Sequence, residues 1–153
     1  MTSTVLITGC SSGIGAATVR HFAAQGWNVA ATLRDPAAAH FEDSAGKVAS
    51  FALDVTDPQS VDAAVAQAVE RFGHIDVLIN NAGYGLFGPF ETATQEVIER
   101  QFQTNVFGVF AVTRAVLPHM RERPGGVIVN GASLTGLVAM PRYSLYAASK
   151  FAV

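Results

Sequence analysis

An α/β fold built on a doubly wound parallel sheet is predicted by three features of this 153-residue sequence. Short β-branched runs alternate with longer segments of helical period. The runs are largely apolar at their centres, as in strands covered on both faces by helices. The chemically distinctive residues fall just after the runs, where such sheets bind ligands beyond the carboxyl ends of their strands.

Each element follows from local pattern. "STVLITG" (3–9) reads as a buried strand, and a helix follows from about Gly13 with Val19, Phe22 and Ala23 on its apolar face. "WNVAATL" (27–33) is a second strand and "KVASFALDV" (47–55) a third. Asp57 and Pro58 open a helix, because Asp caps and Pro suits the first helical position. Val61, Val65, Ala68, Val69 and Phe72 form its inward stripe. "IDVLINNAG" (75–83) is a fourth strand, and one long helix is expected over 94–121. "GGVIVNGAS" (125–133) is a fifth strand, and a last helix begins near Ser144. Parallel strands joined by right-handed helical crossovers give the Rossmann-type architecture, as one domain over residues 1–153.

Composition narrows the partners. Ten basic against twelve acidic residues give a net charge of −2 without a Lys/Arg cluster. A nucleic acid or an anionic membrane requires a basic patch, so neither is an expected partner. Cys10 is the only cysteine, which excludes an intrachain disulfide and a thiolate zinc site. The four histidines, His21, His40, His74 and His119, lack ligand spacing, so no metal is expected. No apolar run reaches the roughly 18 residues of a membrane span, and the N-terminus lacks a signal-peptide pattern. The expected location is the cytoplasm.

After the first strand comes "TGCSSGIG", Thr8 to Gly15. Gly9, Gly13 and Gly15 allow a tight turn and the approach of a pyrophosphate to backbone N–H groups, at the positive end of the next helix. Ser11, Ser12 and Ile14 complete the turn. Near the other end, Tyr146 and Lys150 in "YAASK" are four residues apart and share one face of a helix. A free phenol has a pKa of about 10 and is only about 0.1% ionised at pH 7. A cation within about 4–6 Å favours phenolate, which makes a tyrosine a usable proton donor or acceptor. Taken alone, the bare pair reads as an ordinary helix surface.

"TGCSSGIG", "NNAG" (80–83) and "YAASK", in this order, resemble the short-chain dehydrogenase/reductase family, which reduces carbonyls or oxidises alcohols with a nicotinamide cofactor. The resemblance extends along the whole chain. It implies that Ser133 polarises the substrate oxygen, that Tyr146 transfers the proton, that Lys150 assists it and holds the nicotinamide ribose, and that Asn105 supports a proton relay. The family commonly shows paired serines where this chain has Ala132 and Ser133. It further implies that Asp54 accepts from the adenine amino group, that Val55 packs on the ring, and that Asn81, Ala82 and Gly83 line the ribose while Asn80 ties strands together. Asp54 capping a loop, and Asn105 making a plain backbone hydrogen bond, remain open readings.

By the same resemblance Leu33 occupies the ribose-discriminating position and Arg34 follows it. An arginine there accepts a 2′-phosphate, so Arg34 with Ser12 points to NADP(H) over NAD(H). Asp35, before Pro36, reads as a turn residue. The segments "GYGLFGPFE" (83–91) and "LVAMPRYSL" (137–145) are apolar enough to wall a lipophilic pocket. Their wording is similar to the hydroxysteroid and retinol dehydrogenase branch. The family pattern also implies homo-oligomers and a C-terminal remainder holding the rest of the last helix, further strand and a closing loop. The expected function is hydride transfer between NADP(H) and a carbonyl or secondary alcohol. The alternatives are a dinucleotide-binding module without turnover, and a methyltransferase, which has no use for Tyr146 and Lys150.

Overall fold

The strands and helices of a computed structural model follow the sequence pattern closely, over the described residues 2–38, 40–41 and 46–153. β1 (Thr4–Ile7) leads through the glycine turn into α1 (Gly13–Ala24), then β2 (Asn28–Leu33) and β3 (Val48–Ala52). α2 (Pro58–Phe72) starts where Asp57 accepts a hydrogen bond from the Gln59 N–H, as a capping Asp should. β4 (Val77–Asn80), α3 (Gln95–Phe102), α4 (Gly108–Arg121), β5 (Val127–Asn130) and α5 (Ser144–Phe151) complete the chain. The strands pair in parallel in the order β3-β2-β1-β4-β5. The chain runs outward from β1 to β3, then returns to place β4 on the other side of β1. The switch point of this doubly wound sheet therefore lies between β1 and β4.

Strand alternation divides the core into two layers. Leu6 and Leu78 point to the side of α2 and α4, against Val61, Val65, Val112 and Val116. Val5, Ile7, Val29 and Ala31 point to the side of α1, against Val19. No helix among the described residues is long and apolar enough to cross a membrane.

Two expectations need correction. The helix expected over 94–121 is interrupted: a π-helical turn, Gln103–Phe107, separates α3 from α4. A polar anchor lies inside it, because buried Asn105 bonds outward to the loop after β4. Apolar periodicity carries no signal for such an anchor. The fifth strand is also not buried on both faces, since Val127, Ile128 and Val129 are 50%, 36% and 45% exposed. The α1-side face of the sheet runs from Val5 and Ile7 through Val77 and Ile79 to Val127 and Val129. α1 covers its β1–β2 part.

Candidate active site

The glycine turn opens at the switch point. Gly9 has φ +72°, and a Cβ there would lie 2.8 Å from Ala82 Cα. A Cβ on Gly15 would lie 2.2 Å from the Gly9 carbonyl oxygen. Only glycine allows this approach of turn, helix start and β4 end. Thr8 and Asn81 fasten the two strand ends. The Asn81 and Ala82 N–H groups donate to Thr8 Oγ1 at 3.0 and 2.9 Å, and Asn81 Nδ2 donates to the Thr8 and Gly9 carbonyls at 2.9 and 3.1 Å. Thr8 sits inside the motif read from sequence, but its role as a clamp was visible only once β1 and β4 were neighbours.

Above this turn lies a cleft of about 830 Å³. Gly9, Ser11, Ser12, Ile14, Gly15, Arg34, Asp54, Val55, Asn81, Ala82, Gly83, Tyr146 and Lys150 all line it. Gly13 does not, although its φ of +56° shapes the turn. Ser12, the N-cap of α1, spends no side-chain hydrogen bond on the cap, and the first turn of α1 carries no acidic residue. The positive helix end therefore meets the cleft uncompensated. Arg34 is exposed at the rim, and Asp35 accepts from the Ala37 N–H at 3.0 Å, the turn role read from sequence. Asp54 Oδ1 accepts from the N–H and hydroxyl of Thr56 at 2.9 and 2.7 Å. The Thr56 N–H hydrogen bond is the main cause holding its carboxyl below the usual range; burial opposes it, and the Thr56 hydroxyl and Arg34 add smaller downward pulls. Asp54 thus caps its loop while also lining the cleft. Asn80 joins β4 to β5 and α4 through Asn130 Oδ1 at 3.0 Å and Thr113 Oγ1 at 3.1 Å.

At the far wall, Lys150 Nζ lies 5.9 Å from the centre of the Tyr146 ring. The ammonium donates to the Gly131 carbonyl at 2.6 Å, just beyond β5. Burial pushes Lys150 below the ordinary lysine range. Asn105 Oδ1 accepts from the Tyr84 N–H at 3.1 Å, and its Nδ2 donates to the Tyr84 carbonyl at 2.9 Å and Ser149 Oγ at 3.2 Å. Fully buried Gln101 adds a second bond to the Tyr84 carbonyl at 3.1 Å. The Asn105 side chain therefore fixes the loop around Gly83, and a Cβ on Gly83 would lie 3.1 Å from Asn105 Oδ1 and 3.8 Å from Lys150 Nζ. Ser133 is the one proposed catalytic side chain outside the lining apart from buried Asn105. Its Oγ accepts from the Thr135 N–H and hydroxyl at 3.2 and 2.9 Å, so its own proton remains to be given away. Thr135 and Ser149, which orient Ser133 and Asn105, carry no sequence signal of that duty.

The glycine cradle, a bare helix start and an arginine at the rim fit a dinucleotide. Fold and cleft together define the dinucleotide-binding class of α/β proteins. Within that class, this chain belongs to the short-chain dehydrogenase/reductase family: the family model described as short chain dehydrogenase matches residues 3–153. It is 44% identical over 149 residues to 3-ketodihydrosphingosine reductase of Bacteroides thetaiotaomicron, covering 97% of this chain and 54% of that protein. It is 41% identical over 157 residues to retinol dehydrogenase 8 of Bos taurus, covering 98% and 50%. The chain thus spans about half the length of these curated relatives. A short-chain dehydrogenase from Streptomyces avermitilis superposes with TM-score 0.92 at 37% identity, over 99% of this chain and 57% of that one. ElxO with NADP bound gives 0.90 at 32% identity, over 99% and 64%. A 3-ketoacyl-(acyl-carrier-protein) reductase from Brucella melitensis complexed with NADH gives 0.89 at 35%, over 97% and 64%.

Proposed function

We propose that this protein transfers a hydride between NADP(H) and the carbonyl or secondary alcohol carbon of a small, largely apolar molecule. The observation that carries this reading is the opening of Tyr146 and Lys150 into the same cleft as Gly9 to Gly15. A dinucleotide held by the glycine turn would share this cleft with the phenol. When bound, the cofactor supplies or accepts the hydride. Gly9, Ser11, Ser12, Ile14 and Gly15 would hold its pyrophosphate region, with Gly13 shaping the turn. Arg34 and Ser12 take a 2′-phosphate, which is the basis for preferring NADP(H). Asp54 and Val55 flank the adenine, and Asn81, Ala82 and Gly83 the ribose.

The Ser133 hydroxyl, held from behind by Thr135, donates to the substrate oxygen and stabilises charge there. Tyr146 passes that oxygen its proton in reduction and takes it back in oxidation. The Lys150 ammonium attracts the negative charge left on the phenol oxygen. Asn105 is a positioning residue in the supporting relay, holding Tyr84 and Ser149 so that Gly83 and Lys150 keep their places. Because burial lowers Lys150, turnover should decline below the ordinary lysine range of about 10.4 as pH rises. Homo-oligomer formation and a cytoplasmic location belong to this reading as expectations of the family pattern.

NADPH oxidation over a panel of aldehydes and ketones tests the proposal, with NADPH binding followed in parallel. Tyr146→Phe should lower kcat about 10²- to 10⁴-fold while NADPH still binds. Unchanged turnover in that variant removes the proton-transfer role. NADPH binding without turnover of any substrate by the unaltered protein supports the module reading instead.

A further inference from the structure

Arg142 stands immediately before the aromatic residues that lead to the reacting phenol. It is the one non-glycine among the described residues with a left-handed backbone, at φ 66°. That conformation costs an arginine about 1–2 kcal/mol, and unstrained residues such as glycine or asparagine are the ordinary occupants. Its carbonyl accepts from the Gly88 N–H at 3.0 Å, which ties it to the loop after β4. Its guanidinium lies 4.6 Å from the centre of the Phe87 ring. Among the described residues no carboxylate pairs with it. Strain of this kind persists where it serves a site.

The surroundings say what that site accepts. Arg142 borders a cavity of about 140 Å³ whose other walls include Leu86, Pro89, Phe90, Val97 and Leu145. Phe87 and Phe90, both more than half exposed, stand in its wall, and an exposed apolar rim of this kind marks a ligand groove. Rings bridge the cavity to the chemistry: Phe87 and Tyr143 are 5.1 Å apart between centres, and Tyr143 and Tyr146 are 6.3 Å apart. Phe87 thus lines the cavity at one end of a series of rings that reaches Tyr146 at the other.

We propose that Arg142, stacked on Phe87, is a specificity-determining residue that binds an acidic group at the far end of an apolar substrate. The substrate class is then amphiphilic: a carbonyl or alcohol joined through an apolar chain or ring to a carboxylate, sulfonate or phosphate. The guanidinium presents several N–H donors to such an oxyanion, and the Phe87 face keeps it oriented while it lacks a protein carboxylate. The reacting end of this assignment rests on the hydride-transfer reading, but the anion site does not.

Calorimetric titration of the intact protein with octanoate and with octanol separates the two. In Arg142→Asn, which tolerates the left-handed backbone, octanoate should bind about tenfold more weakly than in the unaltered protein, with octanol unaffected. Arg142→Lys should recover part of the octanoate affinity. Equal octanoate affinity in all three proteins, an equal loss for octanol, or no octanoate binding at all overturns the inference. A second arm compares ω-oxo fatty acids with their methyl esters. The acid-to-ester ratio of kcat/KM should fall about tenfold in Arg142→Asn, and an unchanged ratio counts against the site. If neither compound is turned over, the redox reading fails, and the titration still decides the anion site.

Discussion

β1 and β5 are four-residue strands of nearly the same apolar content, "TVLI" and "VIVN", in one sheet, yet they live in different environments. All four residues of β1 are fully buried, whereas every residue of β5 is exposed. The difference lies in what packs on them. β1 has strands on both sides and helices on both faces, while β5 is an edge whose α1-side face has no α1 above it. The two halves of the site inherit that contrast. The glycine turn grows from the fully packed strand, and Ala132, Ser133 and the Gly131 carbonyl that receives Lys150 follow the open one. The proposed cofactor cradle therefore grows from the fully packed strand, and the proposed proton-transfer residues gather beside the exposed one.

The largest effect that tests this contrast is on stability. Leu6→Ala should cost about 2–5 kcal/mol, since a fully buried leucine leaves a cavity between α2, α4 and the sheet. Ile128→Ala, in the same row of the sheet two strands away through Leu78, should cost about 1 kcal/mol. Urea unfolding of the two variants measures both, and equal costs would show that β5 is covered in solution. Next in size, Gly15→Ala forces a Cβ against the Gly9 carbonyl and should weaken NADPH binding about a hundredfold. Fluorescence titration reads that directly; binding within twofold of the parent would mean that the turn does not form the cofactor cradle. On the open side the expected loss is smaller. Thr135→Val removes the hydroxyl donor to Ser133 and should lower kcat about tenfold with the KM for NADPH unchanged. A matching rise in that KM would place Thr135 in cofactor binding instead.

How much of this was legible beforehand depends on the range of the interactions. The presence of β1, the start of α1 at Gly13, the Asp57 cap and the shared face of Tyr146 and Lys150 are local and periodic, and sequence alone places them. The π-helical turn was illegible because its cause is a hydrogen bond from Asn105 to Tyr84, 21 residues away. The exposure of β5 was illegible for the opposite reason. "VIVN" specifies a strand, but burial depends on whatever else packs on its two faces, and no residue within the strand encodes that. Thr8, Thr135 and Ser149 share a third failing: small hydroxyl residues give no pattern until their partners are known. The motifs thus disclosed which residues meet, while the tertiary contacts disclosed what holds them.

The smallest predicted effect concerns Asp54, where the two roles left open by sequence can be separated by pH. The Thr56 hydrogen bonds lower its carboxyl pKa in the folded protein, whereas an unfolded chain titrates near about 3.9. A group depressed on folding adds stability that is complete above the unfolded value and disappears as pH falls through the folded one. Asp54→Asn should therefore be slightly less stable than the parent at pH 6, and the gap should be smaller at pH 2. Partial exposure keeps the gap small. Chemical denaturation at the two pH values supplies the comparison. A gap that widens in acid would show that the loop does not depend on the carboxylate, and adenine recognition would then be the remaining duty for this side chain in the cleft.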